Sequence, residues 1–225
     1  MNEKKKAAAL KAVEWISDGM ILGLGTGSTA YYAIEAIGKL VKQGHDLVGI
    51  PTSRNTEVLA MGFGIPLVSL ESVDRVDLTI DGADEVDPKL RLIKGMGGAL
   101  LREKIVASVS RTEIIAVDDT KLVEVLGTKS PLPVEVTPFD HKKARDAVER
   151  LGCEARLRGN TNPFVTDSGN YIYDCRFVSI ENPENLERRL NLIPGVVENG
   201  LFIGLATRVV VGTEKGVVVR ESTQD

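Results

Sequence analysis

Aromatic residues are scarce in this 225-residue chain, which has five Phe, four Tyr and one Trp. Little is left for platforms on which bases or sugars stack, and the core must be aliphatic. Cysteine is scarcer still. Cys153 and Cys175 are too few for a disulfide scaffold, and the N-terminus lacks the pattern of a secretory signal. They read as buried, reduced thiols of a cytoplasmic protein. His45 and His141 each stand beside charged residues and read as surface side chains. The grouped His and Cys spacings of a zinc site are missing. No apolar run approaches the roughly 18 residues that span a bilayer, which argues against a membrane protein. Excess positive charge is missing as well. With 28 Lys and Arg against 32 Asp and Glu the net charge is −4, and a pI of about 5.4 argues against a nucleic-acid partner.

What remains is globular in character: 43% hydrophobic and 27% charged residues. Strand and helix signals alternate through the first half. Ala7, Leu10, Val13 and Ile16 recur at helical spacing and predict a helix over 3–17, closed by Gly19. A buried strand is expected at 20–24, then a glycine turn at 25–29 opening a helix to about Lys42. Strands at 47–50, 76–80 and 113–117 follow, with helices over 54–61 and 99–108 and an apolar piece at 65–68. This alternation predicts an α/β fold, a mostly parallel sheet with helices on both faces. Beyond Ser130-Pro131-Leu132-Pro133 the pattern changes. A strand (134–136), helix (140–151), strand (153–157), hairpin turned at 167–170, helix (183–190) and apolar piece (195–198) suggest a small α+β module of the split βαβ type. The Val-rich tail within 201–220 is expected to return to the first sheet. The expected division is 1–130 with 206–225, and 131–205.

Ligands of open parallel sheets bind beyond the carboxyl ends of the strands, and three polar clusters fall there. Gly25-Thr26-Gly27-Ser28-Thr29 offers backbone N–H groups, hydroxyls and a helix N-terminus. It reads either as a phosphate site or as a plain strand-to-helix turn with a Ser or Thr cap. Gly25-x-Gly27-x-x-Ala30 also fits a degenerate dinucleotide fingerprint. The next strand, however, ends Pro51-Thr52-Ser53-Arg54 without the carboxylate that would hold a ribose, so only an NADP version through Arg54 survives. A P-loop fails, because no Gly-Lys-Ser/Thr follows. Asp81-Gly82-Ala83-Asp84-Glu85, with Asp87 close behind, reads as metal coordination, sugar-hydroxyl binding with acid/base work, or a solvated turn. Lys94-Gly95-Met96-Gly97-Gly98 supplies a cation and a close-approach loop. Glu103 lies about one turn into the following helix, where the dipole favours a carboxylate.

Read in order, these segments resemble the A-type ribose-5-phosphate isomerase family. The resemblance rests on Gly23 to Ala30, Asp81 to Glu85, Lys94 to Ala99, Arg102-Glu103-Lys104 and Asp118-Asp119-Thr120-Lys121. It continues through Pro131 to Val136 and Gly195 to Phe202, and so spans nearly the whole chain. One departure is Met96, where the family's loop usually carries glycine. The resemblance implies interconversion of ribose 5-phosphate and ribulose 5-phosphate in the non-oxidative pentose phosphate pathway, without metal or organic cofactor. It implies a Rossmann-like domain bearing a smaller α+β domain, and a homodimer or homotetramer whose partner is a small sugar phosphate, with no nucleic acid and no membrane. By position Glu103 matches the catalytic base, and Asp81, Asp84 and Lys94 match its charged companions. Thr26, Gly27, Ser28 and Thr29, the Asp81-Gly82-Ala83-Asp84 turn, Lys94 with Gly95, Met96 and Gly97, and Lys121 match substrate-binding positions. A non-catalytic sugar-phosphate sensor is the rival of another class. With one helix before the first strand, the chain has no room for the helix-turn-helix such regulators carry.

Overall fold

The computed structural model describes residues 2–221. In chain order the elements are α1 (Asn2–Val13), β1 (Ile21–Leu24), α2 (Ser28–Lys42), β2 (Val48–Pro51), α3 (Arg54–Phe63), β3 (Leu78–Asp81), β4 (Glu85–Val86), β5 (Leu92–Ile93), α4 (Leu100–Ser108) and β6 (Glu113–Asp118). Then come β7 (Leu132–Val136), α5 (His141–Glu149), β8 (Glu154–Leu157), β9 (Tyr171–Arg176), α6 (Pro183–Asn191), β10 (Val196–Asn199), β11 (Leu201–Phe202), β12 (Arg208–Thr213) and β13 (Gly216–Glu221). They fall into two compact units. The larger takes the chain up to residue 83, residues 102–121, and the chain from 204 onward; the smaller takes 84–101 and 122–203.

The larger unit is built on a six-stranded sheet in the order β13-β12-β6-β3-β1-β2, parallel except for the β12–β13 pair. All six residues of β6 and all four of β3 are buried, as strands covered on both faces must be. On α2, Ala30, Ala33, Ile34 and Ile37 form one buried stripe and pack with Leu22, Leu24, Ile80 and Ile114. Each large aliphatic side chain so covered contributes about 1.5–3 kcal/mol. The first helix sits close because Ala8, Ala9 and Ala12 face inward. Gly212 of β12 completes that fit, since a Cβ there would stand 1.9 Å from the Lys4 carbonyl oxygen. The Val-rich tail does return to this sheet, β12 lying parallel to β6. Expectation and structure differ at the end of α1. It stops at Val13, and the N–H groups of Glu14, Trp15 and Ile16 bond three residues back, tightening the last turn. The apolar piece at 65–68 makes a single bridge, Leu67 to Gly49, and is not a full strand.

The smaller unit carries a four-stranded antiparallel sheet, β10-β7-β9-β8, the strand order of a split βαβ module. Ala144 and Val148 of α5 and Leu186 and Leu190 of α6 pack with Val134, Val136, Tyr173 and Cys175 of its strands. The turn at 167–170 forms, with Thr166 N–H on Asn170 O at 2.9 Å, but no strand precedes it. β9 pairs instead with β8, across the long connection 158–170. A second sheet, β11-β5-β4, consists of two-residue strands, too short to print any alternation in the sequence. It also moves the division of the chain. Residues 84–101 and 122–130, expected with the larger unit, belong to the smaller, because β5, which pairs with β4, also pairs with β11, and Val123 N–H bonds Val86 O at 3.0 Å. Cys153 is half-buried and Cys175 buried, both as thiols. Their mutual hydrogen bond draws the Cys153 thiol down and, with burial, pushes that of Cys175 up. His141 is not a plain surface residue, since its Nδ1 lies 2.6 Å from the Tyr173 hydroxyl. Among the described residues no helix is long and apolar enough to cross a membrane.

Glu135 of β7 is an exception in this core, 1% exposed. Thr166 Oγ1 and Asn170 Nδ2 donate to its Oε1 at 2.9 Å each, and Oε2 accepts no hydrogen bond. Burial raises its carboxyl above the ordinary 4.5, against the pull of those donors. A carboxyl raised in the folded state keeps its proton longer there than in the unfolded chain. Its contribution is therefore full below the unfolded value and is lost as pH rises through the folded one. Glu135→Gln retains the accepting oxygen and removes the titration. The unfolding free energy of the variant should gain on the parent as pH rises from about 4.5 to neutrality. Urea melts across that range test this, and parallel curves would contradict it.

Candidate active site

In the larger unit the site is built at the carboxyl ends of β1 and β3, which are neighbours in the sheet. Asp81, the last residue of β3, is 1% exposed. Its Oδ1 accepts the backbone N–H of Thr26 at 3.1 Å and of Gly82 at 2.7 Å. Gly25 has to be glycine, because a Cβ there would lie 2.3 Å from that same oxygen. The Thr26 hydroxyl lies within 3.1 Å of those of Thr52, Ser53 and Thr56. These contacts fix the shape of the turn around Thr26.

Gly27 follows at φ +114°, a backbone conformation L side chains rarely adopt, and precedes the fifteen-residue α2 with no side-chain cap. That helix start, with Ser28 exposed and Thr29 buried, is suited to an anion. Lys5 of α1 donates its Nζ to Ser28 Oγ at 3.0 Å. Sequence reasoning missed Lys5, since it lies among other lysines of the first helix and nothing local marks it. Its neighbour Lys4 is paired with Asp119 at 3.0 Å, anchoring this end of α1 to the turn after β6. Lys121 closes that same turn, half-buried. Glu103, in the first turn of α4, is 4% exposed. Gly82 and Ala83 are half-buried.

The remaining candidates lie in the smaller unit, for the chain passes from one unit to the other between Ala83 and Asp84 and returns between Leu101 and Arg102. Here the acidic run separates by role. Glu85, fully buried, accepts the N–H groups of Gly127, Lys129 and Ser130. Asp87, also fully buried, accepts from Lys89 and Arg91 N–H and pairs with Arg91 Nε at 2.6 Å. Both are consumed by structure. Asp84 is half-buried, and its Oδ2 accepts Met96 N–H at 3.0 Å. Lys94 is 3% exposed, its ammonium 5.3 Å from the centre of the Phe202 ring. In the loop that follows, Gly95 and Gly98 have φ of +105° and +82°, whereas Met96 does not belong to the positive-φ residues. Its side chain is 43% exposed, so a residue other than glycine is accommodated without backbone strain. Gly97 is exposed. Among the described residues no three His, Cys, Asp or Glu side chains are grouped to hold a metal ion.

The larger unit, doubly wound, carries an anion-suited helix start, Asp81 at a strand end and the buried Glu103, and the smaller carries Asp84 and the buried Lys94: side chains of the kind found in enzymes for small phosphorylated substrates. Residues 48–216 match the family model of ribose 5-phosphate isomerase A (phosphoriboisomerase A). The chain is 51% identical to ribose-5-phosphate isomerase A of Parvibaculum lavamentivorans, over 98% of this chain and 99% of that one. It is 54% identical to that of Gloeobacter violaceus, over 96% and 94%. A solved D-ribose-5-phosphate isomerase in complex with phospho-erythronic acid is 45% identical, covers 97% of this chain and 98% of its own, and superposes with a TM-score of 0.94. The chain belongs to the ribose 5-phosphate isomerase A family, a family of isomerases.

The division of the acidic run yields a test. Asp87→Ala should cost about 3 kcal/mol of stability, because it leaves Arg91 and two backbone donors without their buried acceptor. Its KM should stay near the parent value, so an intact melting curve with a raised KM would place Asp87 in the site.

Proposed function

We propose that this chain interconverts D-ribose 5-phosphate and D-ribulose 5-phosphate through an enediol, without metal or organic cofactor. The observation that carries the reading is Glu103, an enclosed carboxylate in the first turn of α4, just after a glycine loop that opens on a buried lysine. Isomerisation moves one proton between adjacent carbons, and a single carboxylate suffices: Glu103 takes it from C2 and returns it to C1. Negative charge grows on the oxygens as the enediol forms, and Lys94 offsets it. Asp81 and Asp84 serve the hydroxyl protons and ring opening. Gly82, Ala83 and Gly95 to Gly97 contribute close-approach backbone. The phosphate falls to Gly27, Ser28 and Thr29 at the start of α2, with Lys5 and Lys121 as cations.

A cytoplasmic setting belongs to the same reading and fits a chain whose only cysteines are two thiols. So does a homodimer or homotetramer. Val58 and Met61, one turn apart on α3 and 72% and 65% exposed, are apolar surface that self-association would cover.

Glu103→Gln keeps size and hydrogen bonding and removes the base. Turnover of ribose 5-phosphate, assayed in EDTA, should fall by at least about 10²-fold, with KM little changed. In deuterated water the parent should wash label into the transferred C–H position and the variant should not. Near-normal turnover in the variant would remove Glu103 from the role, and loss of parent activity in EDTA would remove the metal-free reading. Lys5→Ala should instead raise KM by about tenfold with kcat nearly intact, the signature of lost uniform binding. An unchanged KM would place the phosphate away from Ser28.

A further inference from the structure

The glycine loop after Lys94 has almost no side chains with which to hold itself, and one arginine takes that task. Arg158 follows directly on β8, and its side chain is 15% exposed. Its Nε donates to Asp174 Oδ2 at 3.0 Å and its Nη2 to Asp174 Oδ1, a two-point pairing with β9. The remaining nitrogen, Nη1, donates to the carbonyl oxygens of Gly95 at 3.0 Å and Met96 at 3.2 Å. Nη2 also lies 3.9 Å from Met96 Sδ. The guanidinium carbon stands 5.8 Å from the centre of the Phe164 ring. That ring fills the space a side chain at Gly98 would need, 2.5 Å from the position of its Cβ. Arg158 is thus neutralised on one edge and bonded to backbone on the other.

The two carbonyls matter because of what lies across the peptide plane. A trans peptide is rigid, with its C=O and N–H pointing opposite ways. The plane whose oxygen accepts from Arg158 at Gly95 is the plane whose N–H, on Met96, donates to Asp84 Oδ2. Arg158 and Asp84 therefore grip opposite ends of one peptide group. We infer that Arg158 is a positioning residue of the isomerase, one that orients the Gly95–Met96 peptide and through it holds the Asp84 carboxylate. The inference rests on the reading of Asp84 as a residue of the reaction. Lysine cannot replace the arginine here, since one ammonium cannot pair with Asp174 at two points and also span two carbonyls.

Three variants decide it: Arg158→Ala, Asp84→Asn and the double variant, each with kcat and KM for ribose 5-phosphate and a thermal melt. Arg158→Ala should lower kcat by about tenfold or more, because displacements near 1 Å are costly to a reacting geometry. Its KM should move by less than about threefold, the pattern of an interaction felt in the transition state. On the Asp84→Asn background the same change should cost less than about threefold, because the two residues act in series. Parent-like kcat in a folded Arg158→Ala overturns the inference. So does a full loss on the Asp84→Asn background, which leaves the role of Asp84 standing. Parent-like turnover of Asp84→Asn alone overturns the reading beneath it, and the inference with it. Should Arg158→Ala fail to fold, Arg158→Lys keeps the charge beside Asp174 and should still lose about fivefold or more in kcat. Parent-like kcat there overturns the inference equally.

Discussion

The carboxylate of Asp81 ties the ends of two adjacent strands together, and the site of the larger unit follows from that tie. One oxygen takes the N–H groups of Thr26 and Gly82, so the turn after β1 and the turn after β3 share an anchor. The approach is close enough that residue 25 has no room for a side chain. With Thr26 drawn inward onto Thr52, Ser53 and Thr56, the chain leaves the anchor through Gly27 at positive φ and enters α2. The helix start and its unsupplied N–H groups are thereby presented at the end of the sheet. A carboxylate that organises backbone in this way is also held rigidly for chemistry, at no further cost in conformational freedom.

The smaller unit solves a related problem with different means. Its glycine loop has almost no side chains, and so cannot anchor itself through them. The supports come from elsewhere in that unit. Lys94 N–H bonds Gly200 O at 2.9 Å, and Gly200 is bare because the Lys94 carbonyl stands 2.3 Å from where its Cβ would be. Further along, Arg158 and Phe164 brace the loop from the long β8–β9 connection. That connection had no evident purpose as a hairpin. It is better understood as a support carried over to Gly95, Met96 and Gly98. Met96 fits this arrangement, exposed on one side and touching Arg158 with its sulfur on the other.

The acidic run shows how neighbouring residues of one type part company. Glu85 and Asp87 stand close to Asp84 in the chain, yet each is fully buried and held by backbone donors, with Arg91 Nε besides on Asp87. A carboxylate can be buried only where such donors meet it, so Asp87 stays the β4–β5 turn and Glu85 ties β4 to residues 127–130. Asp81 and Asp84 are the two to which the proposed reaction gives work. Nothing in the spacing of the four distinguishes them, because the donors that claim Glu85 come from residues 127–130, far along the chain.

By itself the sequence determined the order of strands and helices in the larger unit, since burial on both faces writes unbroken Val, Ile and Leu runs and one-sided helices write a period of 3.6. It determined the glycine turn, the acidic turn and the glycine loop, because residues within a few positions of one another are held together by the chain alone. Tertiary structure decided the rest. The two-residue strands β5 and β11 exist only because each meets a partner distant in the chain. Lys5 reaches Ser28 at the start of α2 only because Gly212 lets the start of α1 lie against β12. Arg158 reaches the glycine loop 63 residues upstream only through the fold of its own unit. Local pattern records which face of an element is buried; it does not record which distant hydrogen-bond partner that burial supplies.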